Sequence, residues 1–274
     1  MDWQPFQDFL GRTNLLLLGC LLFAAMAAAA TLGTFFRSRR PSSGDTEGGQ
    51  DSYVASAVLG LLALLMGFTF SLAVERFDAR RLLVLEEANA IGTAYLRAQL
   101  LAEPHRSRMT HLLVRYTDNR IALAKAPPGR AAPMLAVNDA LLTDIWAATS
   151  AAFEDIKGLP FSSTYLESVN ALIDLDASRK AARAARVPPE VFAVLILYMV
   201  VTAGVLGYVL KGLRGRLSGA FLLVLLTLSL ILVLDIDRPV GGGIFESQRP
   251  MEDLQKSLAS QPPAVFDKFK SGGP

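Results

Sequence analysis

Four runs without a single charged residue interrupt this chain, between Arg12 and Arg37, Asp51 and Glu75, Glu190 and Lys211, and Arg216 and Asp235. Each is roughly 18 to 24 residues long, and about 20 suffice to cross a hydrocarbon core as a helix rising 1.5 Å per residue. Backbone amides cannot stay unpaired in lipid, so each run must close its hydrogen bonds within itself. The alternating ten-residue segments of an outer-membrane barrel do not occur. The sequence therefore predicts an all-α, polytopic membrane protein with spans at about 13–36, 52–74, 190–210 and 217–234.

The first run reads as a span rather than a cleaved secretory signal. Asp2 and Asp8 stand where a basic cluster would be, and the apolar stretch continues past Ala27–Ala30 through Leu32, Phe35 and Phe36. A net charge of +2 supplies no global field to recruit nucleic acid. Cys20, the one cysteine, can form neither an internal disulfide nor a multi-cysteine metal site.

Four segments follow from these spans. They are 1–75, an N-terminal transmembrane pair; 76–189, a helical extramembrane region continuing from the second span; 190–235, a C-terminal transmembrane pair; and 236–274, an amphipathic segment with a disordered tail. Arg37–Asp51, rich in Arg, Ser, Gly and Asp, reads as a solvated loop. No proline stands between Ser52 and Leu101, which predicts one helix running from the membrane into water. Breaks at Ala126–Gly129 and Lys157–Pro160 divide the central region into a helical bundle, with Thr164 and Glu167 spaced as a capping box. Pro188, Pro189 and Glu190 mark the start of the third span.

Lys and Arg in the two short loops (Arg37, Arg39, Arg40; Lys211, Arg214, Arg216) place those loops in the cytoplasm and the central region outside. The basic residues flanking the central region count the other way.

Along the long helix, Ser71, Glu75, Asp78, Glu86, Asn89 and Thr93 fall on one face, which continues into the span as Gly67, Gly60 and Ser56. Small residues on such a face either pack helices together or, around a symmetry axis, line a water-filled path with carboxylates at its mouth. Asn170 and Asp174 lie one helical turn apart and are expected to meet Glu86 or Asn89 in the bundle, as a structural network or an ion site. At the end of the fourth span, Asp235, Asp237, Arg238, Pro239 and Gly242, followed by Ser247 and Pro250, form a boundary motif that either caps the helix or cradles a small ligand.

Nothing supports catalysis. His105 and His111 are six residues apart and are expected to be solvated, and no nucleotide loop, nucleophile elbow or zinc-protease motif occurs. No catalytic residue, metal ligand or cofactor is expected.

Three stretches together resemble the bestrophin-like family of bacterial membrane proteins. They are Phe77-Asp78-Ala-Arg80-Arg81 with Glu86–Arg97; Asn170–Asp174; and Asp237-Arg238-Pro239 with Gly242, Ile244, Ser247, Pro250 and Met251. The resemblance implies a bacterial inner-membrane protein, a homo-oligomer like the bestrophins, and a pathway for small inorganic ions. It also implies a cytoplasmic central region, against the loop charges. The acidic face departs from an anion pathway, since carboxylate rings favour cations. The alternative is a non-transporting helical module, anchored in the membrane, that senses or binds a partner.

Overall fold

The computed structural model describes residues 2–39, 47–127 and 130–268, with the side chains of 47–52 left out. The described residues form nine α-helices and no strand. They are α1 (Gln4–Arg12), α2 (Leu15–Ser38), α3 (Glu47–Ala98), α4 (His105–Lys125), α5 (Ala131–Ile156), α6 (Ser162–Ala184), α7 (Pro189–Val209), α8 (Gly212–Asp237) and α9 (Arg249–Ser260), followed by a 3-10 turn at Pro263–Asp267. The all-α fold and the four helices long and apolar enough to span a membrane are as expected. Those four lie in Leu15–Ser38, Tyr53–Ala98, Ser162–Val209 and Gly212–Asp237, the third being contributed by α7. The expected loop at 37–51 is shorter than read, because α2 continues to Ser38 and α3 starts at Glu47; residues 40–46 of it, part of the 126–129 break and the end of the tail fall outside the described residues.

The chain divides into two compact units. Unit 1 comprises Met1–Phe77 and Arg186–Phe245, and unit 2 comprises Asp78–Ala185 and Glu246–Pro274. The 52-residue α3 contributes to both.

In unit 1 the core is apolar, centred on Met26, Leu62, Leu195, Met199 and Leu230. Local chemistry sets the helix ends. The Asn14 side chain accepts the Leu16 amide at 2.8 Å and so caps α2. Pro188 and Pro189 open α7, where a missing amide costs little, and Glu190 sits in its first turn. Arg37 donates to the carbonyls of Tyr208 (3.0 Å) and Val209 (3.2 Å), satisfying the orphaned end of α7. Gly212, at φ +67°, then makes the tight turn into α8. Leu16, Phe36, Leu197, Phe221 and Leu228 are exposed on the outer faces of these helices, as lipid-facing residues must be. Cys20 is also exposed there.

In unit 2, α3 to α6 and α9 enclose a second core that includes Ile91, Leu113, Tyr116, Ile145, Tyr165 and Leu172. The capping box does not form. Helix α6 begins at Ser162 without a side-chain cap, and the Thr164 hydroxyl bonds back to the Phe161 carbonyl at 2.8 Å. His105 is not simply solvated: its Nε2 lies 3.0 Å from an Asp155 carboxylate oxygen.

Candidate functional site

Within unit 1, Ser56, Gly60, Gly67, Ser71 and Glu75 are exposed, and within unit 2 so are Asp78, Glu86, Asn89 and Thr93. A Cβ added to Gly60 or Gly67 would meet nothing within 4 Å, so neither glycine packs against a helix among the described residues. Close packing occurs elsewhere. A Cβ on Gly33 of α2 would strike the Gly204 carbonyl, and one on Gly207 of α7 would strike the backbone of Ala30. Asp78, Arg81, Leu82 and Leu85 share an open depression of 700 Å³ with Ser247 and Pro250.

The expected meeting of Asn170 and Asp174 with Glu86 or Asn89 does not occur. All four are exposed, and no hydrogen bond joins them among the described residues. The bundle's polar network is built from neighbouring positions instead. Glu87 is 0% exposed, Arg120 and Arg179 are 5% exposed, and Asp176 is 2% exposed. Tyr116 donates its hydroxyl proton to Glu87 Oε1 at 2.7 Å, Arg120 reaches the same carboxylate at 2.9 Å and Asp176 at 3.1 Å, and Arg179 also pairs with Glu87. The Asn138 amide donates to Asp176 at 2.9 Å, and at the rim Lys180 bridges Asp176 and Asp139 at 2.7 and 2.6 Å.

These contacts keep the charges where they are. Burial, and then the Glu87 charge, push the Tyr116 phenol well above its ordinary range, so it stays protonated and donates. Burial would pull the Arg120 guanidinium down, but the Glu87 and Asp176 carboxylates outweigh it and the net shift is upward. At Arg183 the balance falls the other way: burial and the neighbouring Arg179 outweigh the attraction of Glu246 and Glu87 and hold it below its usual value. Every strong acceptor in the network has a donor, which marks a structural lock rather than an open ligand site.

The boundary motif is also committed to the fold. Asp237 accepts the Val187 amide at 2.9 Å, joining the end of α8 to the start of α7. Arg238 donates to the carbonyl of Thr13 at 2.8 Å and to that of Leu10, tying down the α1–α2 junction. Asp235 accepts the Gly243 amide at 2.7 Å, and a side chain at Gly242 would collide with its carboxylate. Gly242 is needed for this close approach to Asp235, and Gly241 for its φ of +81°. Arg238→Ala is expected to lower the stability of unit 1 by about 1.5–3 kcal/mol, the worth of hydrogen bonds from a charged donor, read as a lower Tm in detergent. In unit 2, Glu246 pairs with Arg80, both buried.

No group of His, Cys, Asp and Glu that could hold a metal occurs among the described residues.

Comparison with known proteins agrees with this architecture. Variants of a bacterial bestrophin homologue from Klebsiella pneumoniae superpose with TM-scores of 0.65, 0.65 and 0.62 at 15%, 13% and 14% identity, covering 90%, 91% and 94% of this chain and 98%, 98% and 100% of theirs. At that identity the likeness is one of fold. No curated protein matches the chain. The family model of the bestrophin-like domain matches residues 20–248, which takes in the first span from Cys20, the other three spans, the buried network and the boundary motif as far as Ser247. The chain is therefore a member of the bestrophin-like family of membrane proteins.

Proposed function

We propose that the protein is a homo-oligomeric channel of the bacterial inner membrane in which α3 from each copy lines the axis. One observation carries the reading. Gly60, Gly67 and Ser71 form a narrow strip of small residues exposed on a membrane-spanning helix, a Cβ on either glycine would meet nothing within 4 Å among the described residues, and such a strip offers lipid little apolar surface. Copies arranged about an axis would bury it against water. Glu75, Asp78 and Glu86, exposed on the same helix, would become rings of carboxylate, which attract cations. The bestrophin likeness of the solved relatives supports a channel, and the acidic rings support cation passage.

The test is ion flux into liposomes together with oligomer mass in detergent. An oligomer that conducts is expected, with the cation-to-anion preference reduced by Glu75→Gln, Asp78→Asn and Glu86→Gln. Gly60→Leu should cut conductance while leaving the fold of each chain intact. A monomeric mass without flux would refute the proposal. If Gly60→Leu altered oligomer size alone, the non-transporting alternative would hold. For the central region an external position is proposed from the loop charges; labelling of Ser162→Cys by an impermeant reagent from one side reads it directly.

A further inference from the structure

Unit 1 contains a cavity of 280 Å³ between α2, α7 and the first turns of α8. Its wall is apolar, formed by Phe23, Ala27, Leu206 and Leu223, and the one charged residue on it is Arg216. Leu217 and Phe221, exposed on the adjoining surface of α8, continue it into the lipid-facing side.

Charges stand at both ends of these helices. At one end Asp2 and Asp8 precede α2, Glu190 opens α7 and Asp235 and Asp237 close α8, beside Arg12, Arg186 and Arg238; at the other stand Arg37, Arg39, Lys211, Arg214 and Arg216, and the sequence between α2 and α3 adds Arg40 and Asp45. Two of them are occupied, Arg37 by the α7 carbonyls and Arg39 over the Phe35 ring at 4.2 Å. Lys211, Arg214 and Arg216 are exposed and have no carboxylate partner among the described residues. Lys211 precedes α8 without a side-chain cap, so the positive end of that helix adds to the same field.

We propose that this cavity seats an acyl chain of an anionic phospholipid, with Arg216 holding the phosphate and Lys211 and Arg214 adding attraction. The wall is mainly apolar, and the hydroxyls of its Thr31 and Thr34 donate to carbonyls of α2, so a hydrocarbon fits it better than a free inorganic anion. The uncompensated cations select a net negative headgroup over a zwitterionic one, by about fivefold for each cation near the surface. The site is independent of conduction and makes no use of the α3 face.

Native mass spectrometry of the full-length protein tests it, with equimolar phosphatidylglycerol and phosphatidylcholine of identical chains. Phosphatidylglycerol is expected to be retained at least fivefold more, and Arg216→Gln to reduce that preference about fivefold, whereas Arg39→Gln leaves it intact. Phosphatidylglycerol carrying a diazirine on its acyl chain should label residues 23–34 and 219–223, and Ala27→Phe, which fills the cavity without touching its charge, should abolish that label. Equal retention of the two lipids, label spread evenly over the spans, or equal effects of Arg216→Gln and Arg39→Gln would overturn the proposal.

Discussion

Replacing Glu87 with alanine is expected to destabilise unit 2 strongly, while the same change at its neighbour Glu86 is silent. Glu87 is fully buried and answers two guanidiniums and a phenol. Without it, Arg120 retains Asp176, but Arg179 has no carboxylate within ion-pair reach among the described residues. Stranding a buried charge in this way costs about 3–5 kcal/mol, against a whole-domain stability of about 5–15 kcal/mol. Glu87→Gln keeps the acceptor for Tyr116 but loses the charge, at about 1.5–3 kcal/mol. Glu86 is exposed and has no ion-pair partner among the described residues, so its loss should stay within about 0.5 kcal/mol. The chain contains two tryptophans, Trp3 in unit 1 and Trp146 in unit 2, which makes the measurement specific. In a Trp3→Phe background, denaturant unfolding followed by Trp146 fluorescence reports unit 2 alone. Equal midpoints for the Glu86 and Glu87 variants would refute the structural lock.

Why Glu86 rather than Glu87 stands out in the sequence is instructive. Spacing along one helix shows which residues share a face, and Glu75, Asp78, Glu86, Asn89 and Thr93, grouped in that way, are each exposed. It does not show which face is buried. The opposite face of α3, running through Val84, Ala88, Ile91, Ala94, Tyr95 and Ala98, is the core face, and Glu87 interrupts it. A carboxylate in an apolar stripe is the available signal of a buried charge. Its partners are on α4 and α6, at separations of 33 and 92 residues, where no local pattern can announce them. The same holds for Asp176 and Arg179, which continue the buried row Tyr165, Ser168, Val169 and Leu172, one row over from Asn170 and Asp174. The spans and the long α3 were readable because the bilayer imposes a length and a polarity on each helix taken singly. The boundary motif was readable as a position but not as a set of bonds, because its acceptors are the distant carbonyls of Leu10 and Thr13.

Glycines of the spans divide into two kinds, and one substitution distinguishes them. Gly33 and Ala29 on α2, and Gly207 and Ala203 on α7, are each four residues apart, the small-xxx-small spacing that lets helix backbones approach closely in a membrane. A Cβ on Gly33 would meet the Gly204 carbonyl and, at 2.9 Å, the Tyr208 amide nitrogen; a Cβ on Gly207 would meet three backbone atoms of Ala30. Backbone cannot rotate aside as a side chain can, so the two helices would have to separate. Overpacking usually costs about 1–3 kcal/mol, and Gly207→Leu should exceed that range because the obstacle is main chain. The expected result is loss of the folded peak in detergent size-exclusion chromatography, and, in a Trp146→Phe background, an early transition of Trp3 in unit 1. Gly60→Ala should leave the Trp3 transition unchanged or raise it, by up to about 1 kcal/mol from helix propensity, since nothing within 4 Å receives the added methyl. A stable Gly207→Leu protein would mean that α2 and α7 do not cross at these glycines. A Gly60→Ala protein destabilised within a single chain would mean that the α3 face is covered by the chain itself, and the reason for placing it on an axis would vanish.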